Sequence, residues 1–199
     1  MTITPLDTTN HEAVPSDSSR AAPSRTLVWI FTGTYGFSTL FYIANFYSYG
    51  IAFSYPSILL AVALLSPIFG ASFILLDALL LKMTGKLVGG TANTSSLRFA
   101  LAYSKAPSVL LTIVWLMLLA ADPASVFIQD ASNGAAVAMI FSYFGAMLWS
   151  FCLLTKHVKK LQEISTSRAF FNTFVAFCLS FLSYATLLFI ARYIHISRF

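Results

Sequence analysis

One apolar run decides the fold of this chain: residues 56–81 read PSILLAVALLSPIFGASFILLDALLL. The run contains one ionisable side chain, Asp77, and it exceeds the roughly 20 apolar residues that a helix needs to cross the hydrocarbon core of a bilayer. Pro67 lies near its middle, where the proline ring removes a helical hydrogen bond. The run therefore predicts a membrane-spanning helix that is kinked near Pro67.

The rest of the chain has the same character. Of its 199 residues, 58% are hydrophobic and 10% are charged, against about 25% charged residues in a typical soluble domain. The further apolar runs cover about residues 26–49, 106–121, 135–155 and 169–191. We expect an all-α membrane domain over 26–199 with five transmembrane helices, preceded over 1–25 by a disordered cytoplasmic tail rich in Ser, Thr and Pro.

The charges predict the orientation of the spans. Basic residues concentrate in two connections, at Lys82, Lys86, Arg98 and Lys105 after the second span and at Lys156, Lys159, Lys160 and Arg168 after the fourth. A polar loop with Asp122 and Asp130 follows the third span. Because cytoplasmic loops retain positive charge, we expect the N-terminus in the cytoplasm and the C-terminus outside, although Arg192 and Arg198 favour the opposite placement of the tail. Lys105 would mark the entry of the third span into the membrane.

The fourth span carries small residues at every fourth position: Gly134, Ala138, Ser142, Ala146 and Ser150. This spacing lines them along one ridge of a helix, and small residues let two helix backbones approach closely. We predict that this ridge is a packing seam against another helix, within the chain or in a partner or second copy.

Asp77 is the one acidic residue inside a span, and an intramembrane ionisable group is a functional-site hypothesis by default. It precedes Lys82 by five residues, roughly 7 to 8 Å along a helix, so we expect it near the cytoplasmic interface as a structural acid. A site for ion or proton coupling is the alternative. Asn45 and Asn172 are the polar companions that we expect within the spans. The candidates for binding are Asp77, Lys82, Arg98, Lys159 and Lys160.

The remaining chemistry-bearing residues predict no catalytic, metal or cofactor site. His11, His157 and His195 are scattered along the chain, and Cys152 and Cys178 lie within apolar runs without the spacing of a metal site. No G-x-S-x-G motif is present, and the net charge of +5 lies in short clusters between spans. We therefore expect no enzyme and no nucleic-acid partner, and we expect the basic connections to contact membrane lipids or a cytosolic protein.

Two segments resemble the Ypt/Rab-interacting protein family, abbreviated YIP. The first contains Gly89-Gly90, then LRFALAY from Leu97 to Tyr103, then Ala106-Pro107 before a span. The second contains Trp149-Ser150 and LQEISTSRA from Leu161 to Ala169, and the family also tends to place a proline where Pro67 stands. The resemblance covers about residues 56–190. It departs from the family at residues 91–96, which replace a short turn, and at Glu163 or Ile164, where a glycine often stands.

The resemblance implies five spans with the N-terminus inside and the C-terminus outside. Eukaryotic members act in vesicle traffic between endoplasmic reticulum and Golgi and bind Rab GTPases through a long N-terminal region, which the short tail of this chain does not match. We therefore expect a prokaryotic-type member in a bacterial inner membrane, with the endoplasmic reticulum or Golgi membrane as the alternative. The expected function is a non-enzymatic membrane scaffold or adaptor. The alternative is a small permease or lipid-handling protein that uses Asp77.

Overall fold

The computed structural model describes residues 24–128 and 134–196, apart from the side chains of 124, 125 and 187–196. The regular structure in these ranges is helical: α1 Arg25–Phe46, a 3₁₀ turn Tyr49–Ile51, α2 Tyr55–Leu87, α3 Thr94–Ser104, α4 Pro107–Ala121, α5 Pro123–Val126, α6 Gly134–Gln162 and α7 Thr166–Ile196. Nearly all of the predicted tail lies outside the described residues, as do Asp130, Arg198 and the side chain of Arg192.

Within the described residues, five segments are long and apolar enough to cross a membrane. They are Arg25–Phe46, Tyr55–Leu87, Thr94–Ala121, Gly134–Gln162 and Thr166–Thr186. The prediction of an all-α membrane protein with five spans is confirmed. The third span contains both α3 and α4, so it begins at Thr94 and not near residue 106 as expected.

Two spans continue well beyond their predicted ends. The helix α2 runs to Leu87 and not 81, and α6 runs to Gln162 and not 155. Both extensions are held by packing, because Thr84 and Gly85 on α2 and Val158 on α6 are buried. Several bases that were assigned to connecting loops therefore stand on the last turns of these helices.

The helices α1 and α2 approach each other closely at two glycines. A methyl group added to Gly36 would collide with the backbone of Ser66 and Gly70, and one added to Gly70 would collide with the carbonyl of Thr32. Thr32 and Gly36, like Ser66 and Gly70, are four residues apart, so each pair lies on one face of its helix. This is small-residue packing of the kind found between membrane helices, and it was not predicted for these spans.

Pro67 lies inside α2, which continues through it as one helix. Proline cannot donate the backbone hydrogen bond that the carbonyl of Ala63 would otherwise accept. The hydroxyl of Ser66 donates to that carbonyl at 3.0 Å, so the acceptor is satisfied inside the span. The predicted kink at this residue stays a prediction.

The buried apolar residues form two clusters, one toward each end of the bundle. The first lies where α2 meets α3 and α6 meets α7, and it contains Leu81, Leu97, Leu101, Val158 and Ala169 among others. We call this the basic end, because Lys86, Arg98, Lys159 and Lys160 surround it. The second contains Phe41, Trp115, Phe127 and Met139 among others, and we call it the aromatic end.

The connection after the third span was expected to be a polar loop, and its described part corrects that expectation. It contains the short helix α5, and Val126 and Phe127 are fully buried. The Phe127 ring packs 4.8 Å from that of Phe41, and the side-chain amide of Asn45 donates to the Val126 carbonyl at 2.6 Å. The amide of Gly50 also donates to the Phe127 carbonyl, at 3.0 Å. This segment folds inward because its two apolar side chains fill the aromatic end.

Candidate functional site

Asp77 is half-buried between α2 and α7, and two hydroxyls hold it there. Ser180 donates a hydrogen bond to one carboxylate oxygen at 2.5 Å, and Tyr184 donates to the same oxygen at 3.4 Å. Ser180 and Tyr184 are four residues apart on α7, so both face α2. Hydrogen bonds to an ionised oxygen favour its charged form and offset part of the cost of burying it.

Lys105 is the charge that opposes Asp77. It is half-buried, and it interacts electrostatically with the carboxylate. Its ammonium lies 4.1 Å from the centre of the Tyr35 ring, which is a favourable cation–π position. Lys105 caps the C-terminus of α3 and stands two residues before Pro107, where α4 begins, so the break between these helices places this base inside the bundle.

Together these side chains form a polar centre to which four spans contribute directly. We define the polar centre as Tyr35, Asp77, Lys105, Ser180 and Tyr184. The polar centre thus joins an acid and a base from spans that are separate in sequence.

Asp77 lies well inside the helix α2, and its partner Ser180 lies well inside α7. Asp77 stands ten residues before Leu87, roughly 15 Å along α2 from the helix end. Its partner Ser180 lies fourteen residues after Thr166, roughly 21 Å along α7 from the helix start. The expected position of Asp77 near the cytoplasmic interface stays a prediction. Lys105 lies between α3 and α4 in the candidate span Thr94–Ala121, and its expected place at the membrane entry stays a prediction.

The structure gives Asp77 other polar partners than the two expected asparagines. Asn45 bonds to Val126 at the aromatic end, and Asn172 belongs to a separate network at the basic end. Sequence reasoning considered amides and overlooked hydroxyls as partners of the carboxylate. The available signal was Ser180 and Tyr184 at helical spacing in an otherwise apolar run.

A row of hydroxyls continues from the polar centre toward the aromatic end. Thr34 on α1 lies 3.0 Å from the Ser108 hydroxyl on α4, and Ser38 lies 3.0 Å from that of Thr112. Thr34 and Ser38 are four residues apart on α1, as are Ser108 and Thr112 on α4. The two pairs therefore connect α1 and α4 at successive helical turns. The row was not predicted, although its spacing is visible in the sequence. The row links the two spans by hydrogen bonds between side chains, so these hydroxyls need no water as a partner.

An amide network closes the basic end. The amide of Asn172 donates to the Gln162 carbonyl oxygen at 2.9 Å, and the hydroxyl of Thr84 donates to the Asn172 side-chain oxygen. The amide of Gln162 approaches the backbone carbonyl of Leu81 at 3.5 Å. We call Thr84, Gln162 and Asn172 the amide network. It joins α2, α6 and α7 at the place where two connections leave the bundle.

The Gly89-Gly90 pair has a role in this network. Gly89 adopts a φ of +84°, a conformation that side chains other than glycine rarely take. A methyl group on Gly90 would collide with the side chain of Gln162, and the Gly90 amide donates to the Gly85 carbonyl at 2.8 Å. One glycine therefore permits the turn and the other permits contact with α6.

The predicted binding residues fall into two places. Arg98, Lys159 and Lys160 are exposed around the basic end, and Lys82 is half-buried on α2. Asp77 lies in the polar centre, two helical turns before Thr84. The structure thus brings bases of both basic connections to one end of the bundle and separates Asp77 from them.

The predicted seam on α6 varies in burial along its length. Gly134 and Ala138 are exposed, Ser142 and Ala146 are half-buried, and Ser150 is buried. Ser142 accepts a hydrogen bond from the indole of Trp115 at 3.0 Å. The ridge therefore contacts α4 at Ser142, whereas its first turn offers free surface in this single chain.

The remaining candidates are the cysteines and possible metal ligands of the described residues. Cys152 and Cys178 are both free and exposed. No cluster of three potential metal ligands occurs among the described residues. Comparison of the chain with protein families, with characterised proteins and with solved structures finds no match.

Proposed function

We propose that this chain is a non-enzymatic, YIP-type membrane scaffold or adaptor of a bacterial inner membrane, and that it binds its partner through the basic end. One observation carries the proposal: the two segments that resemble the YIP family pack against each other there. Gly90 of the first segment abuts Gln162 of the second, and Leu97 and Leu101 share a buried cluster with Val158 and Ala169.

A second detail supports the resemblance. Glu163 follows α6 with a φ of +55°, the left-handed conformation that favours glycine after a helix. The YIP pattern often has a glycine at this position or the next. The departure noted in the sequence therefore falls where the backbone would accept the family residue.

The charge at the basic end suits a docking surface. Arg98, Lys159 and Lys160 are exposed, and the amide network fixes α6, the helix from which Lys159 and Lys160 project. Exposed bases on a rigid frame can attract an acidic protein surface or anionic headgroups at the cytoplasmic side. We propose that the partner is an acidic protein surface and that contact with anionic lipid headgroups accompanies its binding.

The test replaces Lys159 and Lys160 together by Glu and compares them with the charge-preserving Arg pair. Membranes are cross-linked, extracted in mild detergent and analysed by mass spectrometry of co-purifying proteins. We expect a stoichiometric protein partner with the wild type and the Arg pair, and a loss of at least about tenfold with the Glu pair, as for removal of charged contacts at an interface. Equal recovery with the Glu pair would contradict the proposal.

Self-association through α6 is a separate part of the proposal. The exposed Gly134 and Ala138 leave room for a second helix on the first turns of the ridge. Replacing Ala138 and Ala146 by Leu should abolish an oligomer seen on native gels, because the larger side chains separate the backbones. An oligomer that persists in this variant would exclude the ridge as its interface.

A second candidate function is a small permease or lipid-handling protein, which the polar centre favours. Ionisable residues buried within spans mark substrate or ion pathways in many membrane proteins. In liposomes, Asp77→Asn should abolish a solute or lipid flux that Glu163→Gln, an exposed loss of the same charge, leaves intact. A flux that is unaffected by Asp77→Asn would exclude this function for the polar centre.

A further inference from the structure

A lateral groove on the outside of the bundle lies next to the polar centre and shares Tyr184 with it. It lies between α2 and α7, it has a volume of about 340 Å³, and it is lined by Ile68, Phe69, Ser72, Phe73, Leu76 and Tyr184. Ligand pockets typically measure about 300 to 1,000 Å³, so the groove is large enough for part of one extended hydrocarbon chain. Its lining is almost entirely apolar, as suits a site that opens toward lipid.

The inner wall of the groove is also a wall of the polar centre. The Tyr184 side chain lines the groove, and its hydroxyl donates a hydrogen bond to the Asp77 carboxylate at 3.4 Å. Phe73 packs 4.5 Å from the Tyr184 ring and 6.1 Å from that of Tyr35, whose face carries the Lys105 ammonium. One tyrosine thus separates an apolar groove from an acid and a base.

The two charges of the polar centre are not bonded directly to each other in the described part of the chain. Asp77 accepts from hydroxyls through one oxygen, and Lys105 lies over a ring, although the two residues attract each other. Both keep some exposed surface despite their position inside the spans. The polar centre thus contains an acid and a base that form no direct ion pair, which suits a ligand with an ammonium and a phosphate.

We propose that the polar centre and this groove bind a phospholipid whose head contains a primary ammonium and a phosphate, as in phosphatidylethanolamine. The ammonium donates hydrogen bonds to the Asp77 carboxylate, Lys105 binds the phosphate, and one hydrocarbon chain occupies the groove. A primary ammonium has three donors for the carboxylate, which a choline head lacks. This inference rests on the second candidate function and names its ligand.

The test uses the purified protein in nanodiscs that contain equal parts of phosphatidylethanolamine, phosphatidylcholine and phosphatidylglycerol, followed by native mass spectrometry of the lipid retained in detergent. We expect preferential retention of phosphatidylethanolamine. Asp77→Asn and Lys105→Met should each weaken it by about tenfold or more, since a hydrogen bond to a charged group contributes at least that factor. Equal retention of the three lipids by the wild type would overturn the inference.

The groove has its own matched pair of variants. Ser72→Trp fills the groove and should abolish selective retention, whereas Leu79→Trp adds the same ring at an exposed position of α2 outside the lining. Equal behaviour of the two variants would contradict a chain in the groove. Competition by soluble glycerophosphoethanolamine as strong as that of the lipid would assign the site to a soluble zwitterion and likewise overturn the lipid.

Failure of the lipid inference can be distinguished from failure of the second candidate function as a whole. If retention is unselective but Asp77→Asn still abolishes a solute flux, the permease remains and the lipid inference fails. Because retention is compared among head groups on the wild-type protein, the test does not depend on the folding of any variant.

Discussion

At the aromatic end, the rings of Phe41, Trp115 and Phe127 fill the space between helices, whereas at the basic end side chains of the amide network exchange hydrogen bonds there. Stacked rings gain energy from contact area and tolerate small shifts. Hydrogen bonds between amides require defined positions of both partners. The basic end therefore fixes where α2, α6 and α7 lie relative to one another, and the aromatic end is closed by dense ring packing.

The largest expected effect breaks the aromatic end. Trp115 is fully buried, it stacks 5.3 Å from Phe41, and its indole donates to Ser142. We expect Trp115→Ala to lower the free energy of unfolding by about 3 kcal/mol, the low end for aromatic truncations, because lipid also solvates the separated helices. Unfolding in mixed detergent micelles, followed by circular dichroism, measures it. Trp149→Ala, at an exposed tryptophan, should change little, and equal losses for both would refute dense packing at this end.

The second effect breaks the basic end. Gln162→Leu replaces the buried amide by an apolar side chain and leaves the Asn172 side-chain N–H without its acceptor. We expect a loss of about 2 kcal/mol, because a buried polar group without a partner costs about 1 to 3 kcal/mol. The same unfolding measurement on Asn172→Leu and on the double variant gives the coupling. Additive losses would show that the two amides do not act together.

The smallest expected effect on the free energy of unfolding concerns two turns at the basic end. Glu163 has a φ of +55° and Gly89 a φ of +84°, so the first is strained and the second is not. We expect Glu163→Gly to raise the free energy of unfolding by about 1 kcal/mol and Gly89→Ala to lower it by about 1 kcal/mol, because left-handed backbone costs other residues roughly that much. Shifts of the same sign in the two variants would disagree with this assignment.

The number and type of spans could be predicted because they depend on composition and length alone. The run over residues 56–81 and its four counterparts are long enough to require helices in a bilayer. Helix ends were less predictable. Thr84 and Val158 extend α2 and α6 by packing against segments that are distant in sequence, which hydropathy does not report.

The site could be predicted only in part. Asp77 was identified because an acid in an apolar run is rare, but its partners Ser180 and Lys105 were not. Lys105 appeared to belong to a loop, since the sequence alone does not reveal that α3 and α4 form one bent span. The small-residue rule was applied to α6, whereas Gly36 and Gly70 form the close approach of α1 to α2.

The sequence by itself determined that this is a helical membrane protein with five spans, one intramembrane acid and two groups of bases. These properties follow from the transfer of side chains and backbone between water and lipid, which is local to each segment. Only the tertiary structure decided that Asp77 faces Lys105 inside the bundle and that Gly90 meets Gln162. Which helix faces which neighbour depends on shape and hydrogen bonding between segments, because lipid provides little hydrophobic drive to select among arrangements.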